Sequence, residues 1–328
     1  MNITVFGAGA IGGAVAARLA AAGQDPLLVA RGRTHDAIAA GGLRFHAQGE
    51  SVHVHPRLAR PGKGEPSDVL FLALKSHAVA AALDDIAPFL GPDTLVVTAQ
   101  NGIPWWYFHG LAGSSEGGQL ASLDPDGRIA AVIGAERVLG CVVWQAAHCP
   151  EPGVVHMGFD GPVVFGMPRG PMPERGRAFI SLLAAAGMEA RECGDIRAEI
   201  WLKLWGNLSF NPVSALTGAT LGTLADDPGA RDVLRRMMEE AERVANAYGV
   251  TFPMPVDSRI SEARRVGAHK SSMLQDLEAG RAPELAALLG AVLEMADMKG
   301  IDVPVLRMIH DLTALRFSTA LGQGKQTL

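Results

Sequence analysis

Apolar residues follow two different periods along this chain. In the first half they form short β-rich runs at 3–7 (ITVFG), 26–30 (PLLVA), 67–74 (SDVLFLAL) and 94–100 (TLVVTAQ). The unbroken run at 67–74 is the pattern of a strand buried on both faces. Between these runs lie Ala/Leu-rich stretches at 11–22, stopped by Gly23, and at 77–90, each of which predicts a helix. Strand, helix and strand in repetition predict a parallel sheet with right-handed crossovers. Residues 138–148, 154–158 and 162–167 read as strands that extend this sheet at an antiparallel edge. A helix to about Ala186 and a last strand at 188–194 follow. From about Asp195 the strand signals vanish and helical periodicity takes over. The predicted fold is therefore α/β: a Rossmann-type doubly wound sheet over 1–194, then an all-α C-terminal domain over 195–328. Residues 110–127, rich in Gly, Ser and Asp, predict a loop, either a cover for a site or a surface insertion.

Composition narrows the function classes. The 328 residues are 48% hydrophobic with a formal net charge of −5, enough for about two domains and without the basic surface a nucleic-acid partner needs. Cys141, Cys149 and Cys193 form no CxxC pair, which points to thiols in a reducing compartment and a cytoplasmic protein. No apolar run is long and clean enough to span a bilayer, so no membrane partner is expected. His46, His53 and His55 suggest metal ligation, but no third ligand is evident for the His53-x-His55 pair and an exposed strand explains them; no metal is expected.

The first chemical signal is FGAGAIGG. Gly7, Gly9 and Gly12 have GxGxxG spacing between a predicted strand and a predicted helix, the context in which the motif binds a dinucleotide. The first glycine makes the turn, the second admits a pyrophosphate, and the third allows close packing. Ala10 and Ile11 open the helix whose N–H groups face the phosphates. At the end of the second strand, where a carboxylate would bond the ribose of NAD, stands Arg31, with Arg33 after it and no acid before Asp36. Guanidinium groups attract a 2′-phosphate, so the expected cofactor is NADP. Lys75 and Asn101 follow the third and fourth strands, the crevice edge of an open α/β sheet; each is a cofactor or substrate contact there, or a surface lysine and a turn.

The second signal is WLKLWGNLSFNP, residues 201–212. Lys203, Asn207 and Asn211 are spaced four apart, one face of a helix whose other positions are Trp, Leu and Phe. A helix apolar nearly all round is buried, so its polar stripe must face partners or a cavity. Pro212 should end or kink the helix. The stripe either lines a cleft for a small anionic, oxygen-rich substrate, with Lys203 protonating a reduced carbonyl, or it is a structural network with Glu199 as the lysine's partner.

Together FGAGAIGG, ALKSHAV at 73–79, QNGI at 100–103, RAEIWLKLWGNLSFNPVSALTG at 197–218 and SSMLQDLEAGRAPEL at 271–285 resemble the ketopantoate reductase family (2-dehydropantoate 2-reductases) over nearly the whole chain. The resemblance implies NADPH-dependent reduction of a 2-oxo acid, with a site between an N-terminal Rossmann domain and a helical domain. It implies Lys203 as general acid, Asn207 and Asn211 on the substrate hydroxyl or carboxylate, Ser272 on the carboxylate, and Glu284 orienting Lys203 and substrate. Lys75 and Asn101 would lie near the nicotinamide. Ser271 and Ser272 also suit helix capping. The chain departs from the family pattern at Pro283-Glu284-Leu285-Ala286, which lacks an aspartate. It departs again at Trp105, Trp106, Tyr107 and Phe108, which either reshape the pocket for a bulkier oxo acid or pack under the loop or in a homodimer interface. Reduction of another oxo acid or imine on the same fold, or a non-catalytic NADP(H) sensor, are the rival functions.

Overall fold

The computed structural model describes residues 1–113 and 115–322; Ser114, inside the expected 110–127 loop, lies outside the described residues. The chain forms two compact units. One comprises Met1–Gln100, Pro104–Gln119 and Asp126–Ile196; the other takes Asn101–Ile103, Leu120–Pro125 and the chain from Arg197 onward.

Among its described residues the first unit carries twelve strands: β1 (Ile3–Phe6), β2 (Leu27–Val29), β3 (Leu43–Ala47), β4 (Glu50–Val54), β5 (Arg57–Ala59), β6 (Val69–Leu72), β7 (Leu95–Thr98), β8 (Val138–Val143), β9 (Ala146–His148), β10 (Val154–Phe159), β11 (Val163–Gly166) and β12 (Ala190–Glu192). Its helices are α1 (Ala10–Ala21), α2 (Gly32–Gly41), α3 (Ser76–Val79), α4 (Leu83–Ile86), α5 (Arg128–Ile133) and α6 (Glu174–Ala185). Eight strands form one sheet in the order β12-β11-β8-β7-β6-β1-β2-β5. β1, β6, β7 and β8 are buried at every position, which is why their sequences show no alternation. From β1 the chain builds outward to β2 on one side and later to β6 on the other, so the switch point falls between β1 and β6. β8 pairs parallel with β7, and β11 is antiparallel to β8.

Three expectations are corrected. The run 138–148 does not make one strand: it breaks at Trp144 and Gln145, where the Trp144 N–H turns to Pro162 O (2.9 Å). β9 and β10 then leave the main sheet for a second one, ordered β4-β3-β10-β9, in which β10 runs parallel to β3. Residues 77–90 do not form one helix but short α and 3-10 pieces; Pro88 offers no N–H and cannot continue an α-helical ladder. His46 and His53 lie on β3 and β4 and His55 just beyond. The His46 ring packs 4.9 Å from that of His156 on β10, and His53 Nε2 meets Gly41 O at 2.7 Å. Among the described residues no group of His, Cys, Asp or Glu is arranged to hold a metal ion.

α1 contacts strands of both sheets. Its Arg18, 4% exposed, makes a two-point contact with Asp160 (3.0 and 2.5 Å), a longer one with Glu50 (3.4 Å), and lies 4.9 Å from the centre of the Phe45 ring. Burial works most strongly against the guanidinium charge, but Asp160 and then Glu50 outweigh it and leave the pKa raised. Removing the counter-charge strands a desolvated cation. Asp160→Ala should cost about 1–3 kcal/mol in urea unfolding; an unchanged midpoint would show the pair contributes nothing.

In the second unit α7 (Ile196–Thr217) is followed by α8 (Leu221–Asp226), α9 (Pro228–Ala247), α10 (Val256–Val266), α11 (Ser272–Glu278), a π-helical turn (Ala286–Gly290), α12 (Ala291–Lys299) and α13 (Pro304–Ala320). Trp201 and Trp205 on α7 are fully buried. The Trp205 indole donates to Met238 O (2.8 Å) and stacks on Phe252 with ring centres 3.9 Å apart. Of the two outcomes expected at Pro212, the helix does not end there: α7 continues for five residues to Thr217, because burial of its apolar faces outweighs one missing hydrogen bond. Among the described residues no helix is long and apolar enough to cross a membrane.

Candidate active site

The sheet unit holds a glycine loop shaped by sterics. β1 runs into Gly7, whose φ of +110° suits glycine, and a Cβ there would press to 2.9 Å from Ala73 O. A Cβ on Gly12 would fall on the Gly7 carbonyl oxygen, so strand and helix can meet only without it. Gly9 differs: nothing lies within 4 Å of a Cβ built there. Gly9 caps α1 without a side-chain bond, and no acid sits in the first turn. The N–H groups of Ala10 and Ile11, which no helix can satisfy internally, remain for an incoming anion. A loop closed beneath Gly7 and Gly12 and open above Gly9 fits a dinucleotide pyrophosphate.

Beyond β2, Arg31 caps α2 in extended conformation, and Arg31 and Arg33 are exposed. The next acid, Asp36, is already engaged: His35 Nδ1 lies at 3.1 Å and Arg60 Nη2 donates to it at 2.9 Å. Those two contacts, His35 first, hold its carboxyl below the usual range. The surface past β2 therefore offers unopposed guanidinium groups, as a 2′-phosphate requires. Lys75, half-buried, caps α3 past β6. Gly7, Gly9, Ala10, Ile11, Gly12, Arg31 and Lys75 thus follow the carboxyl ends of β1, β2 and β6.

Asn101 follows β7 but belongs to the helical unit. There its carboxamide joins two charged groups. Lys203 Nζ donates to Asn101 Oδ1 (2.7 Å), and Asn101 Nδ2 donates to Glu284 Oε2 (3.0 Å). The amide has one accepting and one donating end, so this orientation requires a donor at residue 203 and an acceptor at residue 284. Residues 102 and 183 positions apart are tied in this way. Glu284 sits just ahead of the helix beginning at Leu285, and its carbonyl accepts from Leu288 N (3.1 Å). α7 carries Lys203, Asn207 and Asn211 on one face. Lys203 and Asn207 are half-buried and Asn211 is 6% exposed. Asn211 Nδ2 reaches Ser272 Oγ only at 3.5 Å; Ser272 is exposed, and Ser271 is the cap of α11, accepting from Leu274 N (3.1 Å).

Nothing in the amino-acid pattern marks the π-helical turn that begins two residues after Glu284. Its wide turn leaves Ala287 O to accept from Ile103 N (2.9 Å), and Gly102, at φ +86°, lies so close that a Cβ would strike that carbonyl. The Asn-Gly pair was the available signal: glycine is the residue that lets the backbone after Asn101 approach another so closely. Ala121 N and Ser122 N meet Glu294 of α12 at 2.7 and 2.9 Å, which ties a second segment to the same unit. Trp105, Trp106, Tyr107 and Phe108 are 8, 2, 0 and 0% exposed, and Trp106 Nε1 donates to Thr98 Oγ1 at 2.8 Å. The aromatic run is therefore core of the sheet unit, not an open patch.

Two family models match this chain, "Ketopantoate reductase PanE/ApbA" over residues 3–170 and "Ketopantoate reductase PanE/ApbA C terminal" over residues 195–316. A 2-dehydropantoate 2-reductase of Mesorhizobium japonicum is 48% identical over 310 residues, 93% of this chain and 94% of that protein. One from Halobacterium salinarum is 30% identical over 96% of this chain and 98% of its own length. The crystal structure of a PanE/ApbA family ketopantoate reductase from Ralstonia eutropha superposes with a TM-score of 0.84 at 28% identity, covering 98% of this chain and 99% of that one.

Proposed function

The chain belongs to the ketopantoate reductase family, and from that premise we propose that it reduces 2-dehydropantoate to pantoate with NADPH. The observation that carries the reading is the Lys203–Asn101–Glu284 chain of hydrogen bonds. When bound, the reduced nicotinamide supplies the hydride that the keto carbon takes up. As charge develops on the keto oxygen, Lys203 Nζ is the group positioned to give it a proton, leaving a 2-hydroxy acid and a neutral amine that solvent reprotonates. Asn101 restrains that amine by accepting one of its N–H groups, and Glu284 holds the amide in the orientation that accepts. Asn207 and Asn211 offer amide donors and acceptors along the same face of α7 for the substrate's hydroxyl and carboxylate, with Ser272 beside Asn211.

NADPH oxidation with a panel of 2-oxo acids tests the reading: 2-dehydropantoate should give the highest kcat/KM. Tight NADPH binding with no acid turned over would favour a nucleotide-binding sensor instead. The residues past β2 bear on the cofactor. Arg31→Ala should weaken NADPH binding about 10-fold or more while changing NADH affinity little, because only NADPH brings a phosphate for the guanidinium to bond. Equal losses for both nucleotides in fluorescence titrations would remove Arg31 from that role. The scarce, unpatterned cysteines are in keeping with work in the reducing cytoplasm.

A further inference from the structure

Resting on that reading, we propose that Gly102 is a positioning residue for the reduction: through it a π-helical turn grips the backbone just past Asn101 and so fixes the amide between Lys203 and Glu284. All these residues belong to the helical unit. Leu285 opens a helix whose next five residues, Ala286–Gly290, form the π turn before α12 carries it on. In an α-helix the Ala291 N–H would bond the carbonyl four residues back, that of Ala287. Here it bonds Ala286 O, five residues back. The extra residue in the turn thereby takes Ala287 O out of its α-helical bond, and that carbonyl accepts from the buried Ile103 N–H at 2.9 Å. A buried N–H needs such an acceptor, and single π turns inside α-helices cluster at functional sites.

The grip closes only on glycine. Gly102 has a φ of +86°, and a Cβ there would lie 2.3 Å from Ala287 O and 2.5 Å from Ala287 C. Both are main-chain atoms inside a buried turn, so they cannot swing aside as the end of a side chain would. The segment 101–103 would have to back away by roughly 1 Å to reach ordinary van der Waals separation. The same turn carries the other end of the bridge. Glu284 lies three residues ahead of Ala287, and its carbonyl accepts from Leu288 N at 3.1 Å. One piece of helical backbone thus holds both Glu284 and the residue after Asn101. The amide between them reaches Glu284 at 3.0 Å and Lys203 at 2.7 Å, and a retreat of that size takes either bond out of range.

The test uses the full-length enzyme. Gly102→Ala leaves the side chains of Asn101, Lys203 and Glu284 in place, yet it should lower kcat about 10- to 100-fold, the usual result of misplacing a reacting group by an ångström, with the Kd for NADPH unchanged. Gly218→Ala is the control for backbone strain: φ there is +73° and a Cβ would meet nothing within 4 Å, so it should cost stability and leave kcat alone. In an N101A background G102A should lower kcat no further, because the device acts only through the amide. Asn101→Gln reads the grip without touching Gly102, and so decides the matter even where G102A does not fold. On a fixed backbone the longer amide overshoots, and N101Q should be no more active than N101A. Independently of turnover, a double-mutant cycle of N101A and E284A in urea unfolding should show coupling in the parent and none in the G102A background. Parental kcat in G102A or N101Q, losses from G102A and N101A that simply multiply, or coupling that survives G102A overturns the assignment. A parent that oxidises NADPH with no 2-oxo acid would sink the functional reading instead, and the urea cycle would still decide whether Gly102 holds the amide.

Discussion

Lys203→Ala should lower kcat by about 10²- to 10⁴-fold, the usual contribution of a positioned proton donor, and leave the Kd for NADPH where it was. The two halves of that expectation separate chemistry from folding. Lys203 is half-buried on α7, so truncation removes a side chain at the edge of the core, not one of its supports, and the buried Trp201 and Trp205 stay packed. The glycine loop is built within the sheet unit from Gly7, Gly9 and Gly12 and owes nothing to Lys203. Single-turnover NADPH oxidation and a fluorescence titration read the two quantities. Near-parental turnover would dismiss Lys203 as the acid; a large loss of NADPH affinity would mean the variant is damaged more broadly.

Asn101→Asp should be almost as severe, about 10²-fold or more in kcat/KM, although it exchanges one amide nitrogen for oxygen. The carboxylate can still accept from Lys203, but the atom facing Glu284 at 3.0 Å now carries like charge where a donor stood. Either the two acids share a proton or they move apart, and in the second case Glu284 no longer fixes the partner of Lys203. The residual activity of N101D should accordingly fall as pH rises, because the shared proton is lost, and its pH profile should be steeper on the alkaline side than the parent's. A profile parallel to the parental one would show that Glu284 and residue 101 do not communicate. N101A separates the effects: it loses the bridge without adding charge, and should retain more activity than N101D at high pH.

How far sequence reaches depends on how local the cause is. The glycine loop was legible because a tight turn, an open approach and a close packing each demand glycine within six residues. The polar stripe was legible because α7 is long and its period unambiguous. The bridge through Asn101 was not, since nothing in QNGI says that its amide will meet a lysine and a glutamate more than a hundred residues further on. The second sheet escaped for the same reason: β10 finds β3 across the intervening strands, and only Phe45, Val155 and their neighbours, packed against α1, decide it. The 77–90 stretch misled because its Ala-rich composition favours a helix while Pro88 interrupts it. In 138–148 uniform apolarity concealed a turn. At Pro212 the sequence left ending and kinking both open, and tertiary burial carried the helix past a residue that would stop an isolated one.

Asn101–Ile103 and Leu120–Pro125 are counted with the helices although they come from the first half of the chain. The helical half is therefore not a portable cassette. Joined as residues 197–328 to some other nucleotide-binding domain, it would arrive with its lysine and glutamate but without the amide between them, and with Glu294 missing the backbone it holds. Any recombination of this enzyme that keeps its chemistry must carry those nine residues along, so lineages that exchange domains at the apparent boundary should have to reinvent the bridge.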